Sequence, residues 1–420
     1  MKNNSTKKVR RLNEKTLLVT VDMGMTRHTG YCRCPNGSEV NPFDFANNRK
    51  GFDEFWVRVC QTKKARDLQE IVIGFESTGS YAEPLLHFLR KKGIKLVQVN
   101  PMHTKRLKEL QGNSPCKTDH KDPKVIADIV ELGHALTVVI PEGTTAELRR
   151  LTSARERSIQ RRTALLNQLQ VLVFLIFPEF LQVLKDIGSK TSQYLLKHCP
   201  TPEDVIAKGV EDLVRILKTI SRGNIMRERA EALYKAAQES VGVKEGQRSI
   251  ILEIIETLSA IEAVQSFVAI VEAEMDKYLE EIPYSRSILS IKGIGTITAA
   301  GLIGEIGDFG QFHTISEVMK HAGLDLYEIS SGKHKSEKHI SKRGRHLLRK
   351  ILFFASMNTV RKGGIMREHY QNYLQRGMPR MKALIAIARK LLRIIFAIVR
   401  DHSAFVIDYS TTRYQLKEAA

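Results

Sequence analysis

From Ser249 to Ile282 one apolar stripe runs along the chain: Ile251, Ile254, Leu258, Ile261, Val264, Val268, Val271, Met275, Tyr278 and Ile282 return at steps of three and four residues. That spacing places them on one side of a helix far longer than the usual three or four turns, and such a stripe can be buried only against another elongated element. A second run, ELRRLTSARERSIQRRTALLNQLQVLVFLIF, has the same habit, with Leu148, Leu151, Leu165, Leu169, Leu172 and Ile176 in phase. The two are expected to pack as a coiled coil, on each other or on a second copy of the chain. Pro178 and Pro283 close them. Between them, 178–248 holds Pro200, Pro202 and short amphipathic pieces such as Val210–Ile220, which read as a helical insertion.

Ahead of this region the pattern changes. TLLVTVD (16–22), EIVIGFES (70–77) and IKLVQVN (94–100) are near-continuous apolar runs of strand length, as in the centre of a covered sheet, and HTGYCRC (28–34) suits an antiparallel neighbour of the first. Helical stretches at Phe52 to Leu68 and Ala82 to Lys92, the latter stopped by Gly93, alternate with them. The expected organisation is a basic leader (1–15), a mixed α/β domain (16–144), a coiled-coil region (145–283) containing the 178–248 insertion, a mainly helical C-terminal domain (284–405) and a tail (406–420).

Charge narrows the partners. Sixty-six Lys and Arg against 46 Asp and Glu leave a net +20, a self-repelling surplus best explained by a polyanion. It is densest from Lys333 to Lys350, with eight basic residues, three histidines and one acid, Glu337. No unbroken apolar run reaches the roughly 20 residues of a bilayer span, and the basic N-terminus lacks a cleavage-site pattern, so a cytoplasmic protein without membrane partners is expected. Five scattered cysteines (Cys32, Cys34, Cys60, Cys116, Cys199) suit a reducing compartment, and Cys32-x-Cys34 has no second pair to make a zinc site.

Four acids stand where chemistry could use them. Asp22 and Glu76 end two apolar runs, and Asp119 and Asp122 lie three apart in KTDHKDPKVIADI, a spacing that puts both on one face at a helix start. Strand ends at one edge of a sheet converge, so the four could meet and hold Mg²⁺, expected as two ions, an arrangement suited to displacement at a phosphodiester. Each acid alone could equally be a turn or helix cap. In LSIKGIGTITAAGLIGEIGDF (289–309), Lys292, Gly293 and Gly295 separate two helical stretches. This helix-hairpin-helix-like pattern either turns backbone N–H groups toward a phosphate or packs Ala299 and Ala300 closely. Ser330-Ser331-Gly332 precedes the basic run, and on spacing alone it is a turn.

Taken together, VTVDMG, FESTGSY, VNP, KTDHKDPKVIAD, LSIKGIGTITAAGLIGEIGDF, HAGL, SSGK and ISKRGRHLLRKILFFAS resemble, in order and over nearly the whole chain, the DEDD-type transposases of bacterial insertion sequences, a family that includes a DNA invertase and bridge-RNA-guided recombinases. The resemblance implies a RuvC-like, RNase-H-type N-terminal domain whose tetrad is Asp22, Glu76, Asp119 and Asp122, and a C-terminal transposase domain whose nucleophile is Ser331, or Ser330 if the register slips. It further implies donor and target double-stranded DNA as partners, a guide RNA from the element, and a homo-oligomer, dimer or tetramer, working at the bacterial nucleoid. Pro123 stands where the family pattern leads one to expect Ala, in a first helical turn that tolerates it.

Serine attack would conserve the phosphodiester energy in a phosphoserine, allowing a strand to be cut, exchanged and resealed. Lys333, Lys335, Lys342, Arg343, Arg345 and Arg349 would hold the DNA backbone. Because serine and acids fall in different domains, docking of domains or subunits would complete the site. Two other readings are open: a RuvC-like nuclease with water as nucleophile, and a DNA- or RNA-binding protein without chemistry.

Overall fold

The computed structural model describes residues 12–76, 79–111, 121–221, 227–328, 330–331, 334–335 and 338–406. The chain divides into two compact units between Val139 and Ile140.

The first unit is built on β1 (Thr16–Met23), β2 (Arg27–Arg33), β3 (Glu39–Ala46), α1 (Arg49–Ala65), β4 (Glu70–Glu76), α2 (Glu83–Arg90), β5 (Lys95–Val99), α3 (Pro101–Gln111), α4 (Asp122–Glu131) and β6 (Leu136–Thr137). The sheet order is β3-β2-β1-β4-β5-β6. β1, β4 and β5 are parallel, whereas β2, β3 and β6 run antiparallel to their neighbours. The parallel centre explains the continuous apolar runs: Leu17, Leu18, Val19 and Val21 are all buried, so both faces of β1 are covered. Val97, Val125, Ile126, Ile129 and Val130 join Leu18 and Val72 in the core between sheet and α4. The helix expected from Phe52 starts earlier, at Arg49, because the Asn48 side chain caps it by accepting the Gly51 N–H at 2.9 Å.

The second unit is largely helical. α5 (Gly143–Ile176) is followed by α6 (Phe180–Val183), α7 (Lys190–His198), α8 (Pro202–Ser221, broken at Gly209), α9 (Arg227–Gln238) and α10 (Gln247–Glu280). α5 and α10 pack antiparallel, as two cross-links in reversed order show, Thr144 to Glu281 and Arg155 to Glu272; from α7, Lys197 also reaches Glu262 of α10. α10 has the length and hydropathy of a membrane span. Its stripe is instead spent inside the unit, with Ile254, Thr257, Leu258, Ile261, Val264, Val271 and Met275 buried. At one end of this pair α6 to α9 close a core of Phe177, Phe180, Leu195, Leu213 and Leu233 on Leu169 and Ile254.

At the other end lie α11 (Ser285–Leu289), α12 (Thr296–Ile306), α13 (Ile315–His321), four two-residue strands, α14 (His346–Thr359), α15 (Arg367–Gln375) and α16 (Arg380–Arg400). α12 is a core helix, every residue from Ala299 to Ile306 being buried. Its glycines set the packing distance: a Cβ at Gly304 would sit 2.7 Å from the Arg149 backbone nitrogen of α5.

Candidate active site and nucleic-acid interface

The acids of the first unit gather by strand register. β1 and β4 pair Val21 with Phe75, so Asp22 and Glu76 are neighbours one residue further along two parallel strands. Thr20 and Asp22, two apart, share a face of the sheet, as do Gly74 and Glu76. That face is the one α4 covers: Thr20 Oγ1 donates to the Pro123 carbonyl at 2.6 Å, and a Cβ at Gly74 would meet Val130 at 3.0 Å. Asp122, the first residue of α4, is thereby anchored beside the strand end that carries Asp22.

α3 ties the group together. Thr104 and Lys108, one helical turn apart, reach two different acids. The Thr104 hydroxyl donates to Glu76 Oε2 at 2.7 Å, and the Lys108 ammonium pairs with Asp122 Oδ2 at 2.7 Å. Asp22, Glu76 and Asp122 are each partly buried, a setting in which adjacent carboxylates repel and a cation is held strongly. Asp119 lies outside the described residues, and among those described no three His, Cys, Asp or Glu side chains are close enough together to hold a metal ion. The donors that share the face are all carboxylate oxygens, the chemistry that hard divalent cations select. Neither Thr104 nor Lys108 carries a pattern that sequence reasoning could have used; both lie on an ordinary polar helix.

In the second unit, Gly293 takes φ +103° and lies against Thr359 of α14, 3.1 Å from where its Cβ would be, so only glycine suits this turn. Gly295 precedes α12, and Lys292, Gly293 and Gly295 are exposed at its N-terminal end. The strands β7 (Leu326–Tyr327), β8 (Ser330–Ser331), β9 (His334–Lys335) and β10 (His339–Ile340) are nested, β7 pairing with β10 and β8 with β9. Ser331 therefore belongs to the inner pair of a two-tier ribbon, opposite His334, with Ser330 opposite Lys335. Lys333 lies outside the described residues.

The basic run after the ribbon divides. Lys342 and Arg343 are exposed. Arg345, expected at a phosphate, is instead turned inward: its Nε donates to Glu305 Oε2 at 2.6 Å and its Nη2 to Oε1 at 3.3 Å. Glu305 has 1% of its side chain exposed, so Arg345 is its neutralising partner. Arg349 Nη1 likewise donates to the Ala322 carbonyl at 3.0 Å. The Arg149 guanidinium donates to the Gly304 and Glu305 carbonyls, both at 3.0 Å, and His321 Nε2 lies 3.1 Å from the Glu305 carbonyl. Burial, with help from Arg345 and Arg149, pushes His321 down to about 4. An acid amid an apolar helix, as in LIGEIG, was the available signal for Glu305; nothing marked Arg149.

Two family models match the chain, a DEDD transposase model of the IS110 type over residues 19–178 and that of the IS116/IS110/IS902 family transposases over 285–371. Together they span more than half of it. An uncharacterized 43.6 kDa protein of insertion element IS110 from Streptomyces coelicolor is 24% identical, over 91% of this chain and 93% of that protein. The transposase for insertion sequence element IS1111A from Coxiella burnetii is 24% identical over 84% and 87%. The pilin gene-inverting protein of Moraxella lacunata is 32% identical over 30% of this chain and 40% of its own length. The mixed sheet of the first unit is consistent with an RNase-H-like DEDD domain, a type generally dependent on a divalent metal. The chain belongs to the IS110/IS116/IS902 family of insertion-sequence transposases and is a DNA transposase.

Proposed function

We propose that this transposase cuts and rejoins DNA through a phosphoserine on Ser331, with Asp22, Glu76, Asp119 and Asp122 serving the same reaction. The observation that carries the reading is the common face of Asp22, Glu76 and Asp122, fixed by the Thr20 to Pro123 hydrogen bond and by α3. These carboxylates would hold Mg²⁺, as one or two ions, whose charge stabilises an oxyanion at phosphorus. In the first step Ser331 Oγ bonds to phosphorus as the P–O bond to one deoxyribose oxygen breaks, and the proton lost by the serine ends on that oxygen. The reverse attack by a new strand end restores serine and phosphodiester, so no external energy source is needed. Lys292, Gly293 and Gly295 with Lys333, Lys335, Lys342 and Arg343 contribute backbone contacts. A guide RNA from the element chooses donor and target, and the working form is a homo-oligomer in the bacterial cytoplasm, at the nucleoid.

The test is Ser331→Ala, assayed on donor and target DNA with the element's flanking RNA, reading strand cleavage and protein-linked DNA on denaturing gels. Both signals should vanish, while DNA binding persists. Nicking that continues in Ser331→Ala, with no adduct in the wild type, makes water the nucleophile and the enzyme a RuvC-like nuclease. Adducts lost in Ser330→Ala alone shift the nucleophile by one residue.

A further inference from the structure

Between α15 and α16 runs a cleft of about 450 Å³ whose lining includes Tyr373, Arg389, Lys390 and Arg393 but no acid. It lies beyond residue 371, where the matched family region ends. The opposite side of α16 is core, with Leu384, Ile387, Ala388, Leu391, Leu392 and Ile395 buried, so the helix is held firmly with its cationic edge toward the cleft. From Arg361 to Arg400 the sequence has ten Lys and Arg and a single acid, Glu368.

The cations here are handled unlike those elsewhere in the unit. Arg155, Arg345 and Lys350 each pair with a glutamate. Among the described residues Arg389 and Arg393 have no such ion pair, and Arg389 Nε is buried without a hydrogen-bond partner. Asp325 and Tyr373 attract Arg389 without neutralising it, and Arg393, one turn away, repels it. Lys390 Nζ lies 2.6 Å from His369 Nε2, an uncharged acceptor whose own protonation is disfavoured by burial and by Lys390. Burial likewise lowers Lys390 and Arg389 from their ordinary values. Partly buried Arg389 and Lys390, with an unused donor on Arg389 and the exposed Arg393 one turn away, are unfavourable unless an anion neutralises them.

We infer that this cleft grips a backbone phosphodiester of duplex DNA, the Arg389 and Arg393 guanidinium groups and the Lys390 ammonium donating to its non-bridging oxygens. The guanidinium fork matches two oxygens of one phosphate, and a phosphate carries no base identity, so the grip is independent of sequence. The choice of DNA rests on the transposase reading above.

The test uses the full chain and a labelled duplex of arbitrary sequence, titrated by fluorescence anisotropy from about 50 to about 200 mM salt. Arg389→Gln with Arg393→Gln should weaken binding roughly tenfold at the low end and reduce the salt slope by about one to two units. Removing two exposed cations elsewhere, Arg215→Gln with Arg229→Gln, should leave the slope unchanged. Arg393→Gln alone, at an exposed position, should lower the slope by about one unit even if the double variant folds poorly. Wild-type affinity and slope in a folded double variant overturn the inference. So does a loss confined to single-stranded RNA of the same length. A wild-type chain that shows no salt-dependent duplex binding removes the DNA reading itself, and the same titration tells the two failures apart.

Discussion

Acids do opposite work in the two units. In the first, Asp22, Glu76 and Asp122 are partly buried beside the ends of the parallel strands β1 and β4, and α3 offers a hydroxyl and an ammonium to two of them. In the second, Glu305 is sealed inside α12 and committed to one guanidinium. The cations mirror this: Arg345 is used up internally, whereas Arg389 and Arg393 have no carboxylate partner among the described residues. Charge held in reserve marks the surfaces that can meet a ligand, and charge cancelled in the interior marks architecture.

Three substitutions can break that contrast. Asp122→Asn should reduce strand cleavage by about a thousandfold, a loss of the size seen when transition-state charge goes unstabilised, while leaving the melting temperature and duplex affinity near wild type. A variant that instead unfolds would move Asp122 into the same class as Glu305. Arg345→Ala should do the reverse. It leaves the Glu305 carboxylate buried without its partner, at a cost of about 3 kcal/mol to the second unit, read from the urea midpoint of that unit's transition. The salt slope for DNA should barely move, and a fall of one full unit with unchanged stability would return Arg345 to the DNA surface.

The smallest effect concerns His321. Its folded value of about 4 lies below that of the unfolded chain, so above about pH 6.5 neither state is protonated and the stability is fully present. As pH falls from about 6.5 toward 4 the unfolded chain takes up the proton first, and about 2 kcal/mol should be lost. His321→Gln should flatten that part of the pH profile. An equal drop in the variant assigns the loss to other groups.

These comparisons also explain what the sequence could and could not announce. The strands of the first unit were readable because a sheet covered on both faces demands continuous apolar runs, and Asp22 and Glu76 stood out as charges ending them. The register that sets Asp22 beside Glu76 is a long-range property with no local trace, and so is the reach of Lys108 to Asp122. Around Arg345 the difficulty was of another kind. Composition registers how many cations a segment has, but not that one of them is matched by a glutamate 40 residues upstream in an apolar helix. The long stripes announced α5 and α10 plainly, while leaving open whether they meet each other or a second copy, since both choices bury the same residues. The ribbon that carries Ser331 is too short for any periodicity to register.

Gly74 gives the first unit an adjustable dimension. The missing methyl group is what allows Val130 of α4 to rest directly on β4: a Cβ here would stand 3.0 Å from Val130 Cγ2, so a larger residue makes that side chain or its helix give way. Alanine, serine and valine at this position form a graded set of shims pressing on Val130, at the end of α4 opposite Asp122, so that the spacing of Asp122 and Asp22 changes only through a tilt of the helix, without altering any charge or touching any substrate. Catalytic rate plotted against shim thickness would measure how finely the distance between those carboxylates has been set.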